Sequence, residues 1–292
     1  MNDFQYAAPS SLGEATKLLA EFGSRARVLA GGTDILVQLR EGRRSAEMVV
    51  DVKRVPELMS LSLNGVGLHL GASVPCYRLY DDEAVKSAYS ALTDAARIIG
   101  GWQIQSRASV GGNLCNSSPA ADSIPALMVL GATCEIASAG GTREVSAAEF
   151  CTGPGRNVLQ DGELLVTIKM PPTPPHSGSA YLRFIPRNEM DIAVVGAGAW
   201  VQLNAAGDTI EQARVALSAV APTPRMAQQA NDWLAGQPAT DATLEQAGEL
   251  ARAVAEPIND MRGTIEYRRH LAGVLTKRAL RIAIDRAKTQ GV

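Results

Sequence analysis

Aromatic side chains are scarce in this sequence, at 4% of its residues, and it has only three histidines and four cysteines. The cysteines, Cys76, Cys115, Cys134 and Cys151, stand far apart with no C-x-x-C pair, so neither a zinc site nor an iron–sulfur cluster is signalled. We expect them to be reduced, and any metal chemistry to lie in another chain. No apolar run approaches the roughly eighteen residues of a membrane span. The start Met1-Asn2-Asp3-Phe4 has no basic-then-apolar leader, so the expectation is a cytoplasmic protein. An excess of one charge is missing too: the formal net charge of −2 argues against a nucleic-acid or polyanion binder, which would need a basic stripe. Also lacking is any Ser/His/Asp, Cys/His or paired-carboxylate arrangement recognisable as a hydrolytic site. His69 has no partner at ligand spacing and reads as a structural strand residue.

What is present is apolar substance. A chain of 292 residues that is 46% hydrophobic buries a substantial core and divides into two domains or more. Ser11-Leu12-Gly13-Glu14 reads as a capping box opening an amphipathic helix that Gly23 ends. A strand at Val28-Leu29 and another at Met48-Val49-Val50-Asp51-Val52 close a small βαβ-like unit by about residue 55. Between them Arg40, Arg43 and Arg44 form a basic cluster, read as a solvated face ahead of a phosphate or partner-subunit contact. Val66, Leu68 and Leu70 alternate as a strand, and Asp82 to Ile99 carries helical spacing. Thr133 to Ala137, Arg143 to Val145 and Leu164 to Met170 read as strands, so this part of the chain is α+β.

Pro171-Pro172-Thr173-Pro174-Pro175 is the clearest boundary, because four prolines in five residues exclude helix and stiffen an extended connection. Beyond it, Ala180 to Ile185, Ala193 to Leu203 and Ala213 to Val220 suggest an antiparallel meander. Helices follow at about 225–235, 241–255 and 264–288, the last with many Arg and Lys residues read as a solvated face. We therefore expect domains at 1–176, with subdomains of about 1–55 and 56–176, and at 177–292.

Two glycine stretches carry the chemistry. Ala30-Gly31-Gly32-Thr33-Asp34 follows a strand and precedes an apolar turn, an arrangement that aims free backbone N–H groups at an anion. It contains no G-x-G-x-x-G, and no G-x-x-x-x-G-K-[ST] occurs in the chain, so neither a Rossmann fold nor a P-loop is signalled. About eighty residues later comes Ser109-Val110-Gly111-Gly112-Asn113, running on to Asp122. Glycines there admit backbone angles closed to other residues and let a bulky ligand approach the main chain. Asp122 is read as a helix cap or a hydroxyl-binding carboxylate, and Asp34 as a cap or hydroxyl acceptor. The two stretches could hold opposite ends of one long phosphorylated ligand.

These two stretches, with Asn116-Ser117-Ser118-Pro119-Ala120-Ala121-Asp122, Gly162-Glu163-Leu164-Leu165, Arg187-Asn188-Glu189-Met190-Asp191-Ile192-Ala193 and Glu266-Tyr267-Arg268-Arg269, resemble the FAD-binding medium subunit of molybdenum hydroxylases, the family of xanthine dehydrogenase and aerobic carbon monoxide dehydrogenase. The resemblance spans nearly the whole chain and leans towards the xanthine dehydrogenase branch. It implies a two-part FAD-binding domain of the p-cresol methylhydroxylase / vanillyl-alcohol oxidase type, followed by an α+β C-terminal flavoprotein domain with an antiparallel sheet. It implies an FAD whose diphosphate lies across Ala30, Gly31, Gly32, Thr33 and Asp34 and across Ser109, Val110, Gly111, Gly112 and Asn113. Asp122 matches an acid that bonds the flavin's sugar-like chain, and Leu165 an apolar neighbour of the isoalloxazine. Ile99 stands where some members place an aromatic residue near the adenine. Arg183 stands where some have Lys, keeping the charge but not the geometry.

In that family the FAD chain does not oxidise the organic substrate. The resemblance implies a large subunit with a molybdopterin cofactor and a small one with two iron–sulfur (2Fe-2S) clusters, assembled as a dimer of heterotrimers. Electrons would reach this chain singly and leave to NAD, oxygen or another acceptor. A free-standing flavin-dependent oxidase of the same fold, and a non-catalytic nucleotide-binding scaffold, are the alternatives.

Overall fold

A computed structural model of the chain describes residues 3–187 and 189–289. It begins with β1 (Gln5–Ala7) and helix α1 (Leu12–Phe22). The hydroxyl of Ser11 accepts from the backbone N–H of Glu14 at 3.2 Å, as a capping residue should, and the Glu14 carboxylate accepts from the backbone N–H of Ser10 at 3.0 Å. Gly23, at φ +49°, ends the helix. β2 (Ala26–Leu29), α2 (Ile35–Arg40) and β3 (Met48–Asp51) form the expected βαβ unit. β1 was not legible from the sequence, yet it completes a parallel sheet of order β1-β3-β2, in which β3 is buried throughout.

The middle of the chain contributes β4 (Leu61–Asn64), β5 (Gly67–Gly71), α3 (Tyr77–Asp81), α4 (Glu83–Ala88) and α5 (Ser90–Ala96). The single helix expected over 82–99 is thus two, broken at Tyr89. That residue is only 1% exposed and its hydroxyl donates to the Pro171 carbonyl at 2.9 Å, an anchor that outweighs helical continuity. Then come α6 (Trp102–Gln105), α7 (Val110–Asn116), α8 (Ser123–Val129), β6 (Thr133–Ser138), β7 (Gly141–Ser146) and α9 (Ala147–Phe150). A small hairpin, β8 (Cys151–Gly153) with β9 (Arg156–Asn157), precedes β10 (Leu164–Met170). β10 is the central strand of an antiparallel sheet of order β4-β5-β10-β6-β7, and Leu164, Leu165, Val166, Ile168 and Met170 on it are all buried. A strand covered on both faces needs such a near-continuous apolar run.

After the prolines, β11 (Ser177–Phe184), β12 (Val195–Leu203) and β13 (Ile210–Ser218) make the expected meander, extended by β14 (Arg225–Met226). Helices α10 (Gln228–Leu234), α11 (Asp241–Ala253) and α12 (Ile265–Thr289) follow. Strand alternation sorts the side chains of this sheet between two cores. Tyr181, Trp200 and Ala216 join the cluster that holds α5 and α8, while Ala180, Ala199, Val201, Val215 and Leu217 pack with α11 and α12. α12 lies so close to β11 that a Cβ on Gly178 would stand 2.2 Å from the Ala283 carbonyl oxygen. Not all of the basic residues of α12 are solvated: Arg268 is 4% exposed and donates to the carbonyls of Val194 and Ala219 and to Asp260. Among the described residues no helix is long and apolar enough to cross a membrane.

Candidate FAD site between two glycine stretches

β2 delivers Ala30 to Asp34 to the edge of a cavity of about 600 Å³. Gly32 takes φ +79°, a conformation costly for other residues. The backbone N–H groups of Gly31, Gly32, Thr33 and Asp34 have no acceptor among the described residues, so four consecutive donors are left at one wall of the cavity. Unpaired main-chain donors are uncommon in folded proteins, and a polyanionic ligand satisfies them.

The second stretch is not a loop. Gly111 and Gly112 lie in the first turn of α7, where the Ser109 hydroxyl accepts from the Gly112 N–H at 3.0 Å. Their value is therefore small size rather than unusual backbone angles. A Cβ on Gly111 would stand 2.4 Å from the Ala72 carbonyl oxygen, and one on Gly31 would stand 1.9 Å from that of Arg107. The first stretch abuts the backbone just ahead of the second. They are also joined by side chains: Asn116 donates to Asp34 at 3.1 Å and accepts from Gln38 at 3.0 Å. Asp34 makes no side-chain cap on α2, and burial raises its pKa while Arg43 opposes the rise.

Ala30, Gly31, Gly32, Thr33, Asp34, Ile99, Ser109, Gly111, Gly112, Asn113 and Leu165 all line the cavity. Val110, Asp122 and Arg183 do not. Val110 points into the core, 1% exposed. Asp122 sits at the start of α8 without capping it; its carboxylate accepts from the Tyr181 hydroxyl at 3.0 Å and pairs with Arg183 at 2.7 Å. Burial lifts the Asp122 carboxyl to about 6, with Arg183 and Tyr181 opposing. The pair ties α8 to β11.

Several lining residues escaped the sequence reading. Thr152, Gly155, Arg156 and Asn157 come from the β8–β9 hairpin, which is clasped to α7 by Asn157 donating to the Cys115 carbonyl at 2.8 Å and Gly155 donating to the Ser117 carbonyl at 3.0 Å. The turn Gly153-Pro154-Gly155 was the available signal. Arg27, Arg44 and Cys115 also line the cavity, and burial pushes the Cys115 thiol up to about 12, which leaves it a poor nucleophile. Among the described residues no group of three or more His, Cys, Asp or Glu could hold a metal ion.

A cavity lined by glycines, by residues with unpaired N–H donors and by apolar Ile99, Leu58 and Leu165 suits a ligand with both a diphosphate and a flat ring system. FAD is such a ligand. Residues 2–173 match the family described as the FAD binding domain in molybdopterin dehydrogenase, and residues 180–283 that of the CO dehydrogenase flavoprotein C-terminal domain. The chain is 34% identical over 290 residues to a putative xanthine dehydrogenase FAD-binding subunit of Escherichia coli, covering 98% of each. It is 31% identical to the carbon monoxide dehydrogenase medium chain of Hydrogenophaga pseudoflava, covering 96% of each. A solved structure of carbon monoxide dehydrogenase from Hydrogenophaga pseudoflava superposes with a TM-score of 0.93 at 31% identity over 98% of both chains, and one of quinoline 2-oxidoreductase from Pseudomonas putida with 0.90 at 32% identity over 100% of this chain and 99% of that one. This chain, with its two-domain FAD-binding fold, belongs to the family of FAD-binding subunits of the molybdopterin-dependent oxidoreductases, that of xanthine dehydrogenase and carbon monoxide dehydrogenase.

Proposed function

We propose that the chain is the electron-transfer subunit of a molybdenum-containing hydroxylase or dehydrogenase complex. The observation that supports this best is the chain-long similarity to FAD subunits combined with a cavity whose four free N–H groups and glycine walls fit a dinucleotide. FAD bound there supplies the redox chemistry, accepting electrons from iron–sulfur clusters of a small partner subunit and yielding them to NAD, oxygen or another acceptor. The protein binds and orients it. In this reading Gly31 to Asp34 and the first turn of α7, with Ala30, Ser109 and Asn113 beside them, hold the diphosphate. Ile99 and Leu165 give apolar contact to the rings. Asp122 and Arg183, bonded to each other, brace the joint between α8 and β11.

The organic substrate lies with a large molybdenum subunit, in keeping with relatives named for xanthine, carbon monoxide and nicotinate. A dimer of heterotrimers in the cytoplasm is the assembly we propose. We propose a domain boundary at 176/177, a reading supported by β10 ending at Met170 in one sheet and β11 opening another at Ser177.

The test is to purify the chain, denature it and identify the released flavin, then assay turnover of xanthine, aldehydes and N-heterocycles with and without co-purified partners. FAD release, with turnover only in the complex, is expected. Absence of FAD, or robust turnover by the lone chain, overturns the reading, and the latter favours the free-standing oxidase.

A further inference from the structure

Glycine at position 31 settles one difficulty and opens another. The Arg107 carbonyl oxygen would lie 1.9 Å from a Cβ there, so only glycine fits without a shift of backbone. A peptide plane turns over, however, by opposite changes in the ψ before it and the φ after it, and glycine leaves that φ unrestricted. Turned over, the Ala30–Gly31 peptide would show the cavity a carbonyl oxygen in place of an N–H and would repel an anion. The peptides that follow are held by α2: the Gly32 carbonyl accepts from the Leu36 N–H at 3.2 Å, and the Asp34 carbonyl from that of Gln38 at 3.0 Å. The Gly31 N–H has no acceptor among the described residues, so its peptide has to be held from the carbonyl side.

Lys53 holds it. The lysine Nζ donates to the Ala30 carbonyl at 2.9 Å and to Oδ1 of Asp51 at 2.7 Å. Leu29 and Asp51 are partners in the parallel pairing of β2 with β3, so the two segments leave the sheet side by side. One enters the glycine stretch and the other a 3-10 turn, Val52–Arg54. Asp51 caps that turn by accepting from the Lys53 N–H at 3.1 Å, which fixes the lysine's backbone as well as its head. Oδ2 of Asp51 accepts from the Tyr6 hydroxyl on β1 at 2.7 Å. Burial works against the Asp51 charge, but the bonds from Lys53 and Tyr6 outweigh it and hold the carboxyl below its ordinary pKa. The ammonium therefore has an ionised, buried anchor on one side and the Ala30 carbonyl on the other.

Ala30 and Gly31 line the cavity, whereas Asp51 and Lys53 do not. In a trans peptide the C=O and the following N–H point in opposite directions. A carbonyl turned out of the cavity to Lys53 commits the Gly31 N–H to the cavity side. Resting on the function proposed above, we propose that Lys53 is a positioning residue: it locks the Ala30–Gly31 peptide with its donor inward, so that the first glycine stretch is set before the cofactor arrives. Lys53 touches no part of the ligand in this role and acts through the main chain of Ala30.

The probe is FAD, titrated calorimetrically into the flavin-depleted full chain and into Lys53→Met, Lys53→Arg and the Asp51→Asn/Lys53→Met double variant, each also melted without flavin. Lys53→Met should weaken FAD by about tenfold, as when only about one chain in ten keeps the donor inward. The double variant, in which no carboxylate is stranded, should show the same loss and decides the matter if Lys53→Met melts early. Lys53→Arg should recover part of the affinity. Asp94→Asn, which loosens a contact between α5 and α12, is the control for stability alone: it should melt earlier and bind FAD as the wild type does. Glycine-selective 15N spectra of the flavin-free chains give a second reading, in which the Gly31 amide signal should shift or split in Lys53→Met and return in Lys53→Arg. Unaltered FAD affinity in the double variant, or a Gly31 signal that ignores Lys53, overturns the lock. A wild-type chain that binds no FAD overturns the underlying function instead, and the Gly31 signal still tests the lock.

Discussion

The main chain of Gly31 runs so close to that of Arg107 that a Cβ on the glycine would stand 1.9 Å from the arginine's carbonyl oxygen. Backbone cannot move aside as a flexible side chain can, so Gly31→Ala must separate the two stretches that build the cavity wall. We expect a loss of about 3 kcal/mol, at the upper end of overpacking costs, together with loss of bound flavin. Gly155→Ala is the contrast: at φ +67° with open space around its Cβ, it should cost only about 1 kcal/mol. Thermal melts and flavin content of the two variants check this, and a Gly31→Ala chain that melts like the wild type and keeps its flavin would sink it.

Asp94 on α5 and Arg286 on α12 stitch the two halves together, at 2.6 and 3.1 Å. Arg286 also donates to the Ser179 carbonyl at 2.7 Å, and Asp94 accepts from the Tyr181 N–H at 3.1 Å. The side chains remain 34% and 26% exposed, so solvent screens the pair. A double-mutant cycle with Asp94→Asn and Arg286→Met should return a coupling of about 1 kcal/mol. A coupling indistinguishable from zero would reduce the contact to a surface pair.

Arg268 is a buried cation of the C-terminal part, spanning the Val194 carbonyl at 2.7 Å, the Ala219 carbonyl at 3.2 Å and Asp260 at 2.7 Å. It satisfies the strained turn at Ala219, which has φ +60°. Arg268→Met should cost about 3 kcal/mol, since it strands buried acceptors. Arg268→Lys should restore little, because one ammonium cannot reproduce the fork. Denaturant unfolding of both variants measures the difference, and full rescue by Lys would contradict the geometry.

Asp122 gives a pH signature. Burial holds its carboxyl at about 6 in the folded chain against an ordinary value of 3.8, so the folded state binds this proton more tightly than the unfolded state. Stability from this site is then greatest below about pH 4, falls as pH rises to about 6 and is level above. Between those limits the wild type should gain stability on acidification relative to Asp122→Asn. Melting temperatures of the two across pH 4 to 7 test it, and a constant difference would show that Arg183 and Tyr181 keep the carboxylate at its ordinary pKa.

Local patterns were legible because they depend on near neighbours. The Ser11 cap, the alternation along β5, the meander of β11 to β13 and the length of α12 follow from spacings of two to four residues. The glycines were also legible as places where something approaches closely. Their mode was not: Gly111 was read as a loop residue because glycine disfavours helix, and only the Ser109 cap and the packing against Ala72 make it helical. The break at Tyr89 is invisible to periodicity, since the apolar spacing continues across it and the anchor, Pro171, arrives from far along the chain.

The sequence by itself determined many of the strands and helices, and that two glycine stretches with few reactive side chains are places of close approach. Tertiary structure alone decided the company each polar residue keeps. Asp122 meets Tyr181 and Arg183, Arg268 meets Val194 and Ala219, and Asn116 meets Asp34 and Gln38. The physical reason is range. Backbone preference and side-chain periodicity act within a few residues, whereas these partners are brought together by the packing of separate sheets and helices, whose geometry no local pattern encodes.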